Sequence, residues 1–143
     1  MASTLQKRFW LLLSPALAGI GGVWFSRLQG FFEPGGQIGP AALAVVLFIL
    51  AVVFAGAVPI LGRAIFAHRV RHLRRVSEDE FYRFQQRQLL AIMATPYLAL
   101  AAYALAVPGF YLVGTVLAML YALYYHYPSQ QRTGFDRRIF RVQ

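Results

Sequence analysis

The sequence predicts an all-α integral membrane protein. Four transmembrane helices are expected as two antiparallel hairpins, with the second and third helices extended into a cytoplasmic helical hairpin. Three observations predict this. The chain of 143 residues is 59% hydrophobic with a mean hydropathy of +0.54, too apolar for an ordinary soluble domain. The apolar residues fall in long runs: 9–25 and 38–62 carry no charge, and 89–127 holds only His126. The cations between those runs alternate in a way that suits a fixed orientation in a membrane.

Each element follows from the length of its run. A span needs about 20 mostly apolar residues, with about 17 still workable. The first run makes one span at about 9–26 and the second makes one at about 40–62. The third run is too long for one span and breaks at Val107, Pro108 and Gly109, a turn signal, so it makes spans at about 88–107 and 109–127. One membrane domain, 1–143, accounts for the whole chain, with a cytoplasmic hairpin at 63–88 and a cytoplasmic tail at 128–143. Near the N-terminus, Ala16, Leu17 and Ala18 resemble a signal-peptidase site. The apolar stretch before them is short and Pro15 interrupts it, so the segment reads as a retained first span.

Charge sets the expected orientation. Lys7 and Arg8 precede span one. Arg63, Arg69, Arg71, Arg74, Arg75, Arg83 and Arg87 lie between spans two and three, and Arg132, Arg137, Arg138 and Arg141 follow span four. Only Arg27 falls on the other side. Lys and Arg concentrate in cytoplasmic loops, so both termini and the central loop are expected inside. Of the 14 cations all but Lys7 are arginine, which suits a GC-rich bacterial gene and hence a bacterial plasma membrane or another energy-transducing bacterial membrane. The outer connections are small. The first, 26–40, holds four glycines and two prolines, with Phe31 and Phe32 at the interface.

Small residues recur at spacing four within the spans. Gly114, Ala118 and Ala122 form such a ridge in span four, Ser14, Ala18 and Gly22 in span one, and Ala91, Thr95 and Ala99 in span three. Such ridges let membrane helices approach closely, and they serve either the bundle itself or another protein. Pro15, Pro59 and Pro96 lie in or near spans one, two and three, each freeing a backbone carbonyl. Tyr121, Tyr124, Tyr125 and Tyr127 gather at the inner end of span four, as an interfacial aromatic belt does.

The stretch 63–88 has its own pattern. No helix breaker occurs before Val76, so span two is expected to run on as an arm with Phe66, Val70 and Leu73 on one apolar face. Ser77 and Glu80 then match a capping box, and Glu78, Asp79 and Glu80 suit the positive end of a new helix. Phe81 and Phe84 follow on the second arm. On the first arm His68, Arg71, His72 and Arg75 share a face. Arg69, Arg71, Arg74 and Arg75, with Arg137 and Arg138 of the tail, are the expected docking residues for an acidic partner or anionic lipid headgroups. In the tail, Phe135, Ile139 and Val142 are spaced for one helical face, which can lie on the membrane or pack against the arms.

Several chemistries find little to work with. No cysteine is present, which removes disulfides and thiolate metal sites. No ionisable group lies within the spans, which argues against a proton-coupled exporter. A passive channel or transporter component remains an alternative. So does a b-type haem or quinone-binding electron-transfer subunit, with His68 and His126 clasping a haem or with His68, His72 and His126 holding a metal. No nucleic-acid motif accompanies the arginines. The expectation is a non-catalytic accessory, stabilising or assembly subunit of a larger membrane complex. No catalytic residue, metal or cofactor is assigned, and the partners are the bilayer and other membrane-protein subunits.

Overall fold

The computed structural model describes residues 2–31, 41–72 and 75–142, and it is all-helical. Helix α1 spans Ala2–Leu28 and α2 spans Ala41–Val52; a π-helical turn, Val53–Ala57, joins α2 directly to α3, Val58–Val70. Then come α4 (Glu78–Ala104), α5 (Gly109–His126) and the short α6 (Gln130–Ile139). No strand occurs among the described residues beyond one parallel bridge between Val76 and Val142.

Three helices are long and apolar enough to cross a membrane: Ser3–Leu28, Ala41–Val70 and Gly109–His126. Only 17%, 22% and 17% of their most apolar windows are buried within the chain. The rest turns outward, with Leu11, Ile60 and Phe110 70%, 66% and 78% exposed. An apolar surface so continuous suits lipid rather than water.

Helix α4 stands apart. It is not among those three: Gln85, Gln86, Arg87 and Gln88 stand in its first half, and the uncharged stretch that follows, 89–104, is short for a span. It is instead the most enclosed helix, with Phe81, Phe84, Gln88, Leu89, Ile92, Met93, Thr95, Pro96, Ala99 and Ala102 buried. It packs against α1, α2, α3 and α5. A helix surrounded by others is screened by its neighbours and can carry polar side chains on its inward faces.

The directions of packing follow from paired contacts. Leu5, Phe9 and Leu13 of α1 meet Leu89 and Met93 of α4, while Arg27 at the far end of α1 meets Tyr103 at the far end of α4. The two helices therefore run parallel. The rod Ala41–Val70 runs against α4, since Ala55 packs on Ile92, the Pro59 carbonyl accepts from Gln88, and Phe66 stacks on Phe84. Helix α5 returns along α4 after a turn at Leu105 to Pro108, where Ala106 takes φ 50°. The expectation that the first two spans pack as a hairpin is corrected: α1 and α2 make no helix-to-helix contact among the described residues, and α4 is the element both lean on.

The ridges resolve accordingly. Gly114 of α5 lies against Phe48 of α2, where an added Cβ would come within 2.5 Å of a ring carbon. Ala118 and Ala122 continue this seam against Ala55 and Ile92. Thr95 and Ala99 are buried in α4. The α1 ridge is different, because Ser14, Ala18 and Gly22 are all exposed and, among the described residues, no other helix covers them. What packs inward from α1 is the opposite face, with Ala16 fully buried and Gly19 against Leu100.

Two of the three helix prolines are compensated by the hydroxyl of the residue before them. Proline has no N–H, so the carbonyl four residues earlier loses its donor. Pro15 frees Leu11, whose carbonyl accepts from the Ser14 hydroxyl at 3.3 Å. Pro96 frees Ile92, whose carbonyl accepts from the Thr95 hydroxyl at 2.9 Å. Pro59 frees Ala55, whose carbonyl lies within reach of the His126 imidazole. The rod also widens there, the Val58 N–H bonding to Val53 in the π turn.

Candidate functional site

The polar residues gather at one end of the bundle, where the rod and α4 continue as paired arms. A helix of 30 residues is about 45 Å long, against a hydrocarbon core of about 30 Å, so the rod Ala41–Val70 has length to spare. Phe66 and Val70 on α3 face Phe81 and Phe84 on α4, and Val76 closes the cluster. The Phe66 and Phe84 rings stack at 4.1 Å between centroids. The cluster forms because both arms carry apolar residues at helical spacing on facing sides.

The arm ends sooner than its sequence suggests. Helix α3 stops at Val70; Arg71 and His72 lie in a turn and Arg75 in a bend. The single helical face of His68, Arg71, His72 and Arg75 is therefore not formed. Beyond the turn the Val76 N–H donates to the Arg141 carbonyl at 3.4 Å, joining this segment to the tail. Leu73 and Arg74 lie outside the described residues. Helix α4 starts where the cap is expected, with the Ser77 hydroxyl accepting from the Glu80 N–H at 3.3 Å.

The tail packs against the arms. The Ser129 hydroxyl caps α6 by accepting from the Arg132 N–H at 3.2 Å. Phe140 and Val142 join the aromatic cluster, and Arg137 pairs with Glu78 at 3.0 Å. Asp136, only 7% exposed, accepts from Arg63 of α3 at 2.9 Å and from Gln85 of α4 at 3.2 Å. One carboxylate thus ties three helices together. Arg132 donates to the Tyr124 and Tyr125 carbonyls and covers the open end of α5. Phe135 and Ile139, expected on an apolar face of the tail, are exposed.

The expected docking cations differ in availability. Arg69, Arg71, Arg75 and Arg138 are exposed, whereas Arg137 is half-buried in its ion pair with Glu78. Sequence reasoning passed over two of the better-placed arginines. Arg83 and Arg87 of α4 join Arg69 along a groove of about 590 Å³ between α3 and α4. Its floor is apolar, from Val58, Pro59 and Ala91 past Ile65 and Phe66. The signal available was the spacing of four between Arg83 and Arg87, which puts both on one helix face.

No protein-family model, curated protein or solved structure matches this chain.

The histidines are not brought together. His68 and His72 are exposed on the arm, while His126 lines a small cavity of about 40 Å³ with Arg63, Gln88, Arg132 and Asp136. Neither of the other histidines lines that cavity, and a porphyrin cannot enter a space of that size. Among the described residues no group of three metal-ligating side chains forms. Tyr121, Tyr124 and Tyr125 point outward as a belt does, while Tyr127 packs edge-on against Phe9 at 5.2 Å.

The lone cation at the opposite end also has a local partner. Arg27 donates to the Tyr103 carbonyl at 2.6 Å and lies over the Tyr103 ring at 4.4 Å. A cation at a helix C-terminus meets the negative end of the macrodipole, and its place over a ring adds a cation–π contact.

Proposed function

We propose that this chain is a non-catalytic, multi-pass membrane protein that serves as an accessory, stabilising or assembly subunit of a larger membrane complex. It crosses the bilayer four times, α4 crossing as the central helix screened by its neighbours. The arms, the tail and both termini lie on the cytoplasmic side of a bacterial plasma membrane, since nearly all cations gather there. The basic arms dock an acidic partner or anionic headgroups.

The observation that carries this reading is the outward face of α1. Two of the chain's three small-residue ridges are consumed inside the bundle, and the third, Ser14, Ala18 and Gly22, is left exposed. A Cβ placed on Gly21 or Gly22 meets nothing within 4 Å. A smooth helix face in a bilayer offers close backbone approach to another transmembrane helix, which is how membrane helices gain packing energy.

Extraction of native membranes in mild detergent, followed by native mass determination, tests the proposal. The expected result is stable co-migration with larger membrane proteins, lost on Gly22→Leu while the chain itself stays folded. A clean monomer or homodimer from native membranes would count against it.

A further inference from the structure

We propose that the groove between α3 and α4 is a binding site for one phospholipid with an ethanolamine headgroup. The proposal rests on the reading that Ala41–Val70 crosses a membrane and deepens it by naming what the arms hold.

The chemistry along the groove runs in a fixed order. The register of the two arms is set by three pairings: Gly62 beside Gln88, Phe66 on Phe84, and Val70 in the cluster with Phe81. Moving from the bundle toward the tip, the lining therefore begins with Val58, Pro59 and Ala91, all apolar. Ile60, Leu61 and Leu90, exposed beside this end, continue the lipid-facing surface into it. Next come Arg87 and Arg83, one helical turn apart on α4. At the tip stand Asp79 and Glu80, with Arg69 also lining the groove there.

That sequence of apolar, cationic and then acidic walls is the complement of a phosphatidylethanolamine read from its acyl chains outward: hydrocarbon, phosphodiester, ammonium. Among the described residues the ion pairs are Arg63 with Asp136 and Arg137 with Glu78, so none of Arg69, Arg83 and Arg87 is already engaged by a carboxylate. Guanidinium groups bind phosphate oxygens with charge-assisted hydrogen bonds, and carboxylates accept the same kind of bond from an ammonium. A headgroup ending in glycerol, as in phosphatidylglycerol, satisfies the two arginines but brings no ammonium to Asp79 and Glu80.

The full chain, purified in mild detergent and stripped of lipid, is titrated with phosphatidylethanolamine or phosphatidylglycerol of matched acyl chains and read by native mass spectrometry. One phosphatidylethanolamine per chain is expected, held about tenfold or more above phosphatidylglycerol, the ratio one charge-assisted bond supplies. The double variant R83Q/R87Q is expected to weaken the adduct by about tenfold or more on the same grounds. Ala91→Leu, which fills the apolar end without touching a charge, lowers it too, and Arg71→Gln, outside the groove, leaves it unchanged. The pair Asp79→Asn and Glu80→Gln removes the preference between headgroups. Equal retention of the two lipids by the unmodified chain, or an adduct indifferent to both R83Q/R87Q and Ala91→Leu, overturns the proposal. A chain that stays in carbonate-washed membranes yet holds no phosphatidylethanolamine overturns this inference alone. A chain released by carbonate removes the membrane reading, and the inference with it.

Discussion

The Asp136 carboxylate sits 2.9 Å from the Arg63 guanidinium, and the same oxygen takes a hydrogen bond from Gln85 at 3.2 Å. This junction holds α6 under the bundle. Replacing Asp136 by Ala should destabilise the fold by about 1–2 kcal/mol, toward the lower end for a charged bond because Arg63 is half-exposed to water. Thermal unfolding in detergent measures the loss, and limited proteolysis should cut the freed tail first. Arg138→Ala, on the exposed side of α6, should change stability by less than about 0.5 kcal/mol.

The seam between α2 and α5 depends on the missing side chain at Gly114. A methyl group there would press into the Phe48 ring. Gly114→Ala is expected to cost about 1–3 kcal/mol by overpacking, and Phe48→Leu in the same chain should recover part of that loss. Gly21→Ala on the open face of α1 should not destabilise at all. A double-mutant cycle on thermal stability reads the Gly114–Phe48 coupling; additive effects would contradict the contact.

Thr95 and Pro96 act as a unit. Thr95→Val leaves the Ile92 carbonyl without a donor inside the bundle, at a cost of about 1–3 kcal/mol. In a Pro96→Ala background the restored backbone N–H bonds that carbonyl, so the same Thr95→Val change should cost markedly less. Equal costs in both backgrounds would remove this account of the hydroxyl.

Arg27→Ala should cost about 1–2 kcal/mol through loss of the hydrogen bond to Tyr103 and the cation over its ring. Arg27→Lys should recover only part, because the ammonium cannot both stack and donate in the same geometry. The comparison is again made by thermal unfolding in detergent.

Local features were legible in the sequence and long-range ones were not. The turn at Pro108 and the Ser77 cap each depend on residues within a few positions, the facing of Phe66 and Phe84 follows from helical spacing on two arms joined by a short turn, and each appears where the pattern puts it. The compensation of Pro15 and Pro96 was equally available, because a hydroxyl-bearing residue stands immediately before each proline, within one turn of the carbonyl that the proline frees. By contrast, three ridges of the same spacing cannot reveal which helix each one meets, so α1 against α4 and the idle face of α1 required the packed structure. The bond between Val76 and Arg141 likewise joins residues far apart in sequence. Asp136 offered one clue: it is the only acid in a tail of arginines. A carboxylate there is either a solvated charge or a tether, and only burial distinguishes the two.

The account stands or falls on four crossings with the arms and tail on one side. The chain has no cysteine, so single cysteines can be introduced against a clean background. In intact cells a membrane-impermeant maleimide should label Phe110→Cys at the α4–α5 turn, and should label Arg75→Cys and Ser129→Cys only after the membrane is opened. Labelling of Phe110→Cys and Arg75→Cys from the same side would contradict the account.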